Sequence, residues 1–211
     1  MIYCDVHTHR EGSPAADELV IQDREINASF VLPETYCSVG IHPCSAPAQW
    51  EPYLESLASV IGSPVVVAVG EAGFDKRAAA SLAQQEKLFI AQAELAEAIG
   101  KPLIIHCVKA WDELLQVRKQ IKPHSPWIIH GFRGNDLLAG QLGKAGFLLS
   151  FGYYFNPEAV RSVWPKGILA ETDERKVEIR EVYERLSGAL GLPVEVFARQ
   201  VRENVGACFS I

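Results

Sequence analysis

The chain has 211 residues, 48% of them hydrophobic and 22% charged, with a formal net charge of −6. These values fit one water-soluble globular domain over residues 1–211, with a core that buries about 70% of the surface the unfolded chain exposes. The acidic balance argues against a general nucleic-acid coat protein, which needs a broad basic face, but leaves room for an enzyme with a local basic rim. No apolar run is long enough to span a bilayer, and nothing at the N-terminus reads as a signal peptide. Five cysteines, Cys4, Cys37, Cys44, Cys107 and Cys208, show no CxxC pair. They read as reduced thiols of a cytoplasmic protein, not as a disulfide framework or a structural zinc site.

In chain order, the first apolar run is IYCDVH (2–7), followed by a weaker one at 18–22 and by YCSVGIH at 36–42. A helical pattern at roughly 47–60 precedes PVVVAVGE (64–71). The clearest helix, 79–99, repeats Leu82, Gln85, Phe89, Gln92 and Ala96 at three- and four-residue spacing and ends before Gly100 and Pro102. Then PLIIHC (102–107), PWIIHG (126–131), GFLLSF (146–151) and GILAET (167–172) alternate with helical patterns near 110–120, 135–144 and 156–163. Two more helical patterns, 176–189 and 193–204, close the chain. Runs nearly continuous in Val, Ile and Leu read as strands buried on both faces, which are usually parallel. About eight such strands alternating with helices predict an α/β fold, a compact TIM-type parallel barrel. Such barrels usually need about 250 residues, and residues 10–35 are too few for two helices and a strand. At least one early helix is therefore expected to be reduced or missing.

On that frame, His7 and His9 close the first strand on one face, because residues two apart point the same way. Glu71, His106, His130 and Asp173 each close a later strand. In a parallel barrel these C-terminal ends form the face that carries active sites. One histidine after an apolar strand is ordinarily a hydrogen-bonded core residue; recurrence at so many strand ends is not. Of the six histidines, His42 also ends a strand, whereas His124 in KPHSP reads as an exposed loop residue. Four histidines and two carboxylates suit Zn²⁺, Mn²⁺ or Fe²⁺ better than Mg²⁺. Six donors exceed one tetrahedral ion but suffice for two divalent ions bridged by a carboxylate, an arrangement that clamps both oxygens of a phosphoryl displacement.

In order, DVHTH, GIHP, GEAGFD, KPLIIHC, HGF and ETD resemble the motif series of the TatD-like metal-dependent hydrolases, a deoxyribonuclease-type branch of the amidohydrolase superfamily. QQEKLFIAQAELA and ENVGACF resemble further family segments, so the resemblance runs from about 5 to 209. It implies that His7, His9 and Asp173 hold one metal ion and His106 and His130 the second. Glu71 would bridge the two ions or join the first. Asp173 would also orient or deprotonate the attacking water, making Asp173 and Glu71 the catalytic carboxylates. His42 would lie near the substrate phosphate or serve only as a turn residue before Pro43. Asp5 reads as a support for the ligands, not as a ligand.

The sequence departs from the family pattern in its outer motifs. His-x-His-Leu-Asp is replaced by Arg10 and Glu11 after the second histidine. Val108 and Lys109 stand where His-x-Arg-Asp-Ala has Arg and Asp, and Glu174 follows where Ser-Pro-Tyr is usual. These departures bear on substrate more than on reaction class. The loops carry Arg10, Lys76, Arg77, Lys109, Arg133, Arg175 and Lys176, a ring suited to a phosphate-containing substrate such as a DNA end. Lys109 and Arg133, nearest the ligands in sequence, are the expected phosphate contacts. Tyr153, Tyr154 and Phe155 would either stack on bases or plug the barrel mouth, the second being favoured. The expected function is a divalent-metal phosphodiesterase of deoxyribonuclease type, without a membrane or obligate protein partner. Two alternatives stay open. One is an amide, lactone or phosphomonoester hydrolase acting on a small molecule; the other is a non-catalytic metal-binding relative.

Overall fold

The computed structural model describes all residues, Met1–Ile211. Its strands are β1 (Tyr3–Thr8), β2 (Glu18–Glu25), β3 (Cys37–Gly40), β4 (Val66–Asp75), β5 (Leu103–Val108), β6 (Trp127–Ile129), β7 (Phe147–Phe151) and β8 (Ile168–Ala170). Its helices are α1 (Glu51–Val60), α2 (Leu82–Ala98), α3 (Trp111–Ile121), α4 (Asp136–Lys144), α5 (Pro157–Val163), α6 (Ile179–Leu190) and α7 (Val194–Phe209). The strands follow one another in chain order in one eight-stranded sheet, the parallel TIM-type barrel. No helix precedes Glu51, so both early connections, 9–17 and 26–36, are irregular chain. Helix α1 begins later than 47 because Pro52 occupies its first turn, where a missing N–H costs nothing. Helix α7 runs on past 204 because Val205, Cys208 and Phe209 are buried on its inner side. No helix is long and apolar enough to cross a membrane.

The chain packs as two compact units, Met1–Gln22 with Ile128–Ile211, and Asp23–Trp127. In the first, the segment after β8 joins the end of β1. Thr8 bridges Asp173, Asp173 N–H donates to the His7 carbonyl at 2.9 Å, and His9 N–H donates to the Asp173 carbonyl at 3.3 Å. Tyr183 of α6, fully buried, sits edge-on to Tyr3 and Phe197, each 5.2 Å away. Its hydroxyl accepts from Cys4 N–H and donates to the Cys4 carbonyl, so burial costs it no hydrogen bond. Asn204, in the ENVGACF segment, donates to the carbonyls of Pro165 and Ile168 and so fixes α7 at the start of β8.

In the second unit every residue of β4 is buried. Phe89 of α2 packs between Phe74 and Trp127, at 5.0 and 5.3 Å; burying each such aromatic contributes about 2–3 kcal/mol. Gln85 and Gln92 share this inner face of α2. Gln92 accepts from Ile41 N–H and donates to the Ile41 carbonyl, fixing the residue before His42. Gln85 does the same for the backbone of Asp75. Gln92→Leu leaves two buried backbone groups without partners and is expected to cost about 2–4 kcal/mol, read as a lower urea midpoint.

Glu97, near the end of α2, accepts the backbone N–H groups of His124 and Ser125. Partial burial opposes its ionisation, but these hydrogen bonds win and hold the carboxyl at about 2, against an ordinary 4.5. A depressed carboxyl stabilises the fold above its unfolded pKa and loses that contribution as pH falls toward the folded value. Glu97→Gln should therefore lower stability by about 2 kcal/mol at pH 7, with the gap to the parent closing between about pH 5 and pH 2. Urea titrations at several pH values read it directly.

Candidate metal centre

Each unit carries its own group of donors at strand ends. In the first, His7 is completely buried at the end of β1 and His9 follows it, with 36% of its side chain exposed. Asp173 is placed against them by its backbone pairing with β1. It adopts φ +56, a left-handed conformation that Asp tolerates better than most residues. Its Oδ1 lies 3.9 Å from His7 Nε2 and 3.7 Å from His9 Nε2. These separations are too long for direct hydrogen bonds. They are close to the donor–donor edges of a tetrahedral Zn²⁺ shell, about 3.3–3.4 Å for bonds of about 2.0–2.1 Å. The residues thus fit a borderline divalent ion. His130 packs 4.2 Å from the His7 ring, and a second possible donor group is His130, Glu171 and Asp173.

Supports for these donors lie in β1 and just after β8. Asp5 accepts from Thr172 N–H and from the Thr172 hydroxyl, which also meets Thr8 Oγ1. Asp5 is thus spent on the chain that positions Asp173, as its place one pleat deeper suggested. Burial pushes its carboxyl up to about 7 against those hydrogen bonds. Glu171 is fully buried and accepts from Gly131 N–H at 2.6 Å, with His130 Nδ1 3.5 Å from the same oxygen. The sequence reading passed over Glu171, although ETD places it two residues before Asp173.

In the second unit, Glu71 Oε1 lies 2.6 Å from His106 Nδ1 and 3.3 Å from His42 Nε2. The other His106 nitrogen lies 3.1 Å from Asp75 Oδ2. Arg77 grips Asp75 through Nε and Nη2 and holds its carboxyl well below the usual range. Burial lowers the His42 pKa, but the Glu71 carboxylate outweighs it and lifts the imidazole above its ordinary value. His42 therefore belongs to this cluster and is more than a turn residue. Asp75 was not singled out from the sequence, yet it lies four residues after Glu71 on the same strand face.

The flanking expectations divide. Arg10 forms an ion pair with Glu18 at 2.9 Å and Lys76 one with Glu113 at 2.8 Å, so these two cations have carboxylate partners. Lys109 is exposed at φ +58 just after β5. Arg133 is exposed and lines a shallow pocket with Tyr153, Tyr154, Asp173 and Arg175. Tyr154 is 49% exposed with the Arg175 guanidinium 4.6 Å above its ring, and Arg185 lies over Tyr153. Of the aromatic run, Tyr154 is thus open to solvent, against the plug expected, while Tyr153 and Phe155 are half-buried. A wider cleft of about 440 Å³ is lined by His9, Arg10, Asp173, Glu174, Arg175 and Lys176. Two of the departures from the family pattern, Arg10 and Glu174, thus flank the His9–Asp173 pair. His124 is exposed, as expected, and pairs with Glu97.

Known proteins agree with this architecture. The family model "TatD related DNase" matches residues 21–210. The 3′-5′ ssDNA/RNA exonuclease TatD of Edwardsiella piscicida is 37% identical over 101 residues, 47% of this chain and 39% of that enzyme. The match thus spans less than half of that relative's length. An uncharacterized metal-dependent hydrolase of Escherichia coli, YcfH, is 27% identical over 197 residues, 82% of this chain and 73% of the relative. The human 3′-5′ RNA nuclease TATDN2 is 32% identical over 146 residues, 64% of this chain and 19% of the relative. The crystal structure of the Escherichia coli TatD homolog YJJV superposes with a TM-score of 0.83 at 19% identity, covering 99% of this chain and 98% of that one. A TatD-family hydrolase from Entamoeba histolytica gives 0.78 at 15% identity, with the same coverage. With the family model matching most of its length, the chain belongs to the TatD-related DNase family.

Proposed function

We propose that the chain is a cytoplasmic, divalent-metal-dependent phosphodiesterase that shortens single-stranded nucleic acid from an end, working as one domain with two ions. The observation that carries this reading is the His7–His9–Asp173 group, whose donor spacing matches an ion shell beside an open cleft. By the family resemblance, His7, His9 and Asp173 would hold one ion, and His106 and His130 would each offer a nitrogen to the other. Glu71 would add its carboxylate to these ligands. When bound, divalent ions supply positive charge at the phosphoryl oxygens and acidify water.

The chain's own groups do the rest. Asp173 orients the attacking water and takes its proton as the new P–O bond forms and the ester P–O bond breaks. Glu71 and Asp75 fix the orientation of the His106 ring. His42, anchored through the Gln92–Ile41 pair, carries its proton toward a phosphate oxygen. Arg133 and Lys109 meet the phosphate backbone, and Tyr154 with Arg175 offers a face for a base. The exonuclease and nuclease names of the relatives support the substrate class.

The test strips the full chain with chelator, reloads it with Mn²⁺, Zn²⁺ or Mg²⁺, and follows single-stranded DNA and RNA labelled at either end. Stepwise loss from one end, abolished by chelator, is expected. Cleavage of phosphomonoesters alone, or of nothing with any ion, overturns the reading.

A further inference from the structure

The second unit holds one more donor beside its histidines. Cys44 is the exposed cysteine; Cys107 is half-buried and Cys4, Cys37 and Cys208 are buried. Cys44 Sγ lies 3.6 Å from Asp75 Oδ2, the same oxygen that sits 3.1 Å from His106 Nε2. Its backbone N–H donates to His42 Nδ1 at 3.1 Å and so holds that ring beside the thiol; ligation through Nε2 would shift the ring proton to Nδ1 and replace this bond. The His42 and His106 rings are 4.5 Å apart. One donor atom from each of His42, Cys44 and His106 lies within 4.8 Å of the others. A tetrahedral thiolate–imidazole shell has edges of about 3.3–3.6 Å, so side-chain adjustments of about an ångström would close it.

We propose that His42, Cys44 and His106 form a site for a thiophilic divalent ion, Zn²⁺ or Cd²⁺, distinct from the His7–His9–Asp173 group. A thiolate with two imidazoles selects such ions over Mg²⁺ and Mn²⁺, which prefer oxygen. The sequence reading set Cys44 aside because a zinc site is usually recognised by paired cysteines along the chain. Here the fold supplies the pairing, bringing the residue two after His42 against the end of β5. Coordination forms a metal–sulfur bond and releases the thiol proton to solvent. The site uses two histidines that the proposed reaction needs. If that reading holds, an ion bound here competes with catalysis, so excess Zn²⁺ inhibits an enzyme supported by Mn²⁺.

The test is spectroscopic and independent of turnover. Full-length protein preloaded with Mg²⁺ is titrated with Cd²⁺, and the thiolate-to-cadmium charge-transfer band is followed in the ultraviolet. The band is expected to saturate at one equivalent per chain and to persist in Cys107→Ser and in His9→Ala. It should vanish in Cys44→Ser, and half-saturation should need at least tenfold more Cd²⁺ in His42→Ala. Circular dichroism confirms that each variant is folded; Cys44 is exposed, so serine there disturbs no packing. No band in the parent, an unchanged band in Cys44→Ser, or loss of the band in Cys107→Ser overturns the site. Failure of every nuclease assay with the band intact overturns only the proposed function.

Discussion

Asp173→Asn is expected to lower metal-supported turnover by roughly a thousandfold or more, while the unfolding free energy from urea titration stays within about 0.5 kcal/mol of the parent. The separation of the two effects follows from how Asp173 is held. Its backbone N–H and carbonyl make the pairing to His7 and His9, and neither depends on the side chain. Its left-handed φ of +56 suits asparagine as well as aspartate. What the substitution removes is the negative oxygen 3.7–3.9 Å from two imidazole nitrogens. On the proposed mechanism, the donor group without it would be neutral, would bind a divalent ion more weakly, and would have no base for the attacking water. Metal content per chain should fall together with turnover. Turnover within tenfold of the parent would sink the assignment of Asp173.

The sequence carried the barrel because its signal is redundant. Short Val/Ile/Leu runs alternate with helical periods, and a shift of a few residues in any one boundary leaves the topology unchanged. The loss of at least one early helix was legible from the chain length and from the short segment 10–35. Candidate donors at strand ends stand out for a related reason: a strand's end is also where its apolar run stops, as at His7, His106 and His130.

Less visible were residues whose role is set by tertiary contact. Asp75 lies beyond the apolar run that ends at Glu71, yet β4 continues to it because the small Ala72 and Gly73 let β5 pair alongside. Gln85 and Gln92 recurred on the apolar face of α2, but periodicity could not reveal that each satisfies a buried stretch of backbone. Tyr154 is apolar enough to suggest burial, yet it is 49% exposed with a guanidinium over its ring.

The second large effect falls on Gly73, in the GEAGFD motif between Glu71 and Asp75. Gly73 has φ +149, a conformation that side chains rarely adopt, and it pairs with His106 across β4 and β5. A methyl group there would press on the His106 carbonyl oxygen, well inside van der Waals contact, and crowd the carbon and nitrogen of the same residue. Those neighbours are backbone of β5, so no side chain can swing aside to relieve the overlap. Gly73→Ala should therefore cost about 3–4 kcal/mol in urea denaturation. In whatever fraction folds, His106 is pushed away from Glu71 and Asp75, and turnover drops with it. Gly62→Ala is the matched control, because an added methyl there meets nothing within 4 Å and should stay within about 0.5 kcal/mol of the parent. A cost below about 1 kcal/mol for Gly73→Ala would mean that β5 can yield. His106 would then owe its place to Glu71 and Asp75 alone, and not to the close approach of the two strands.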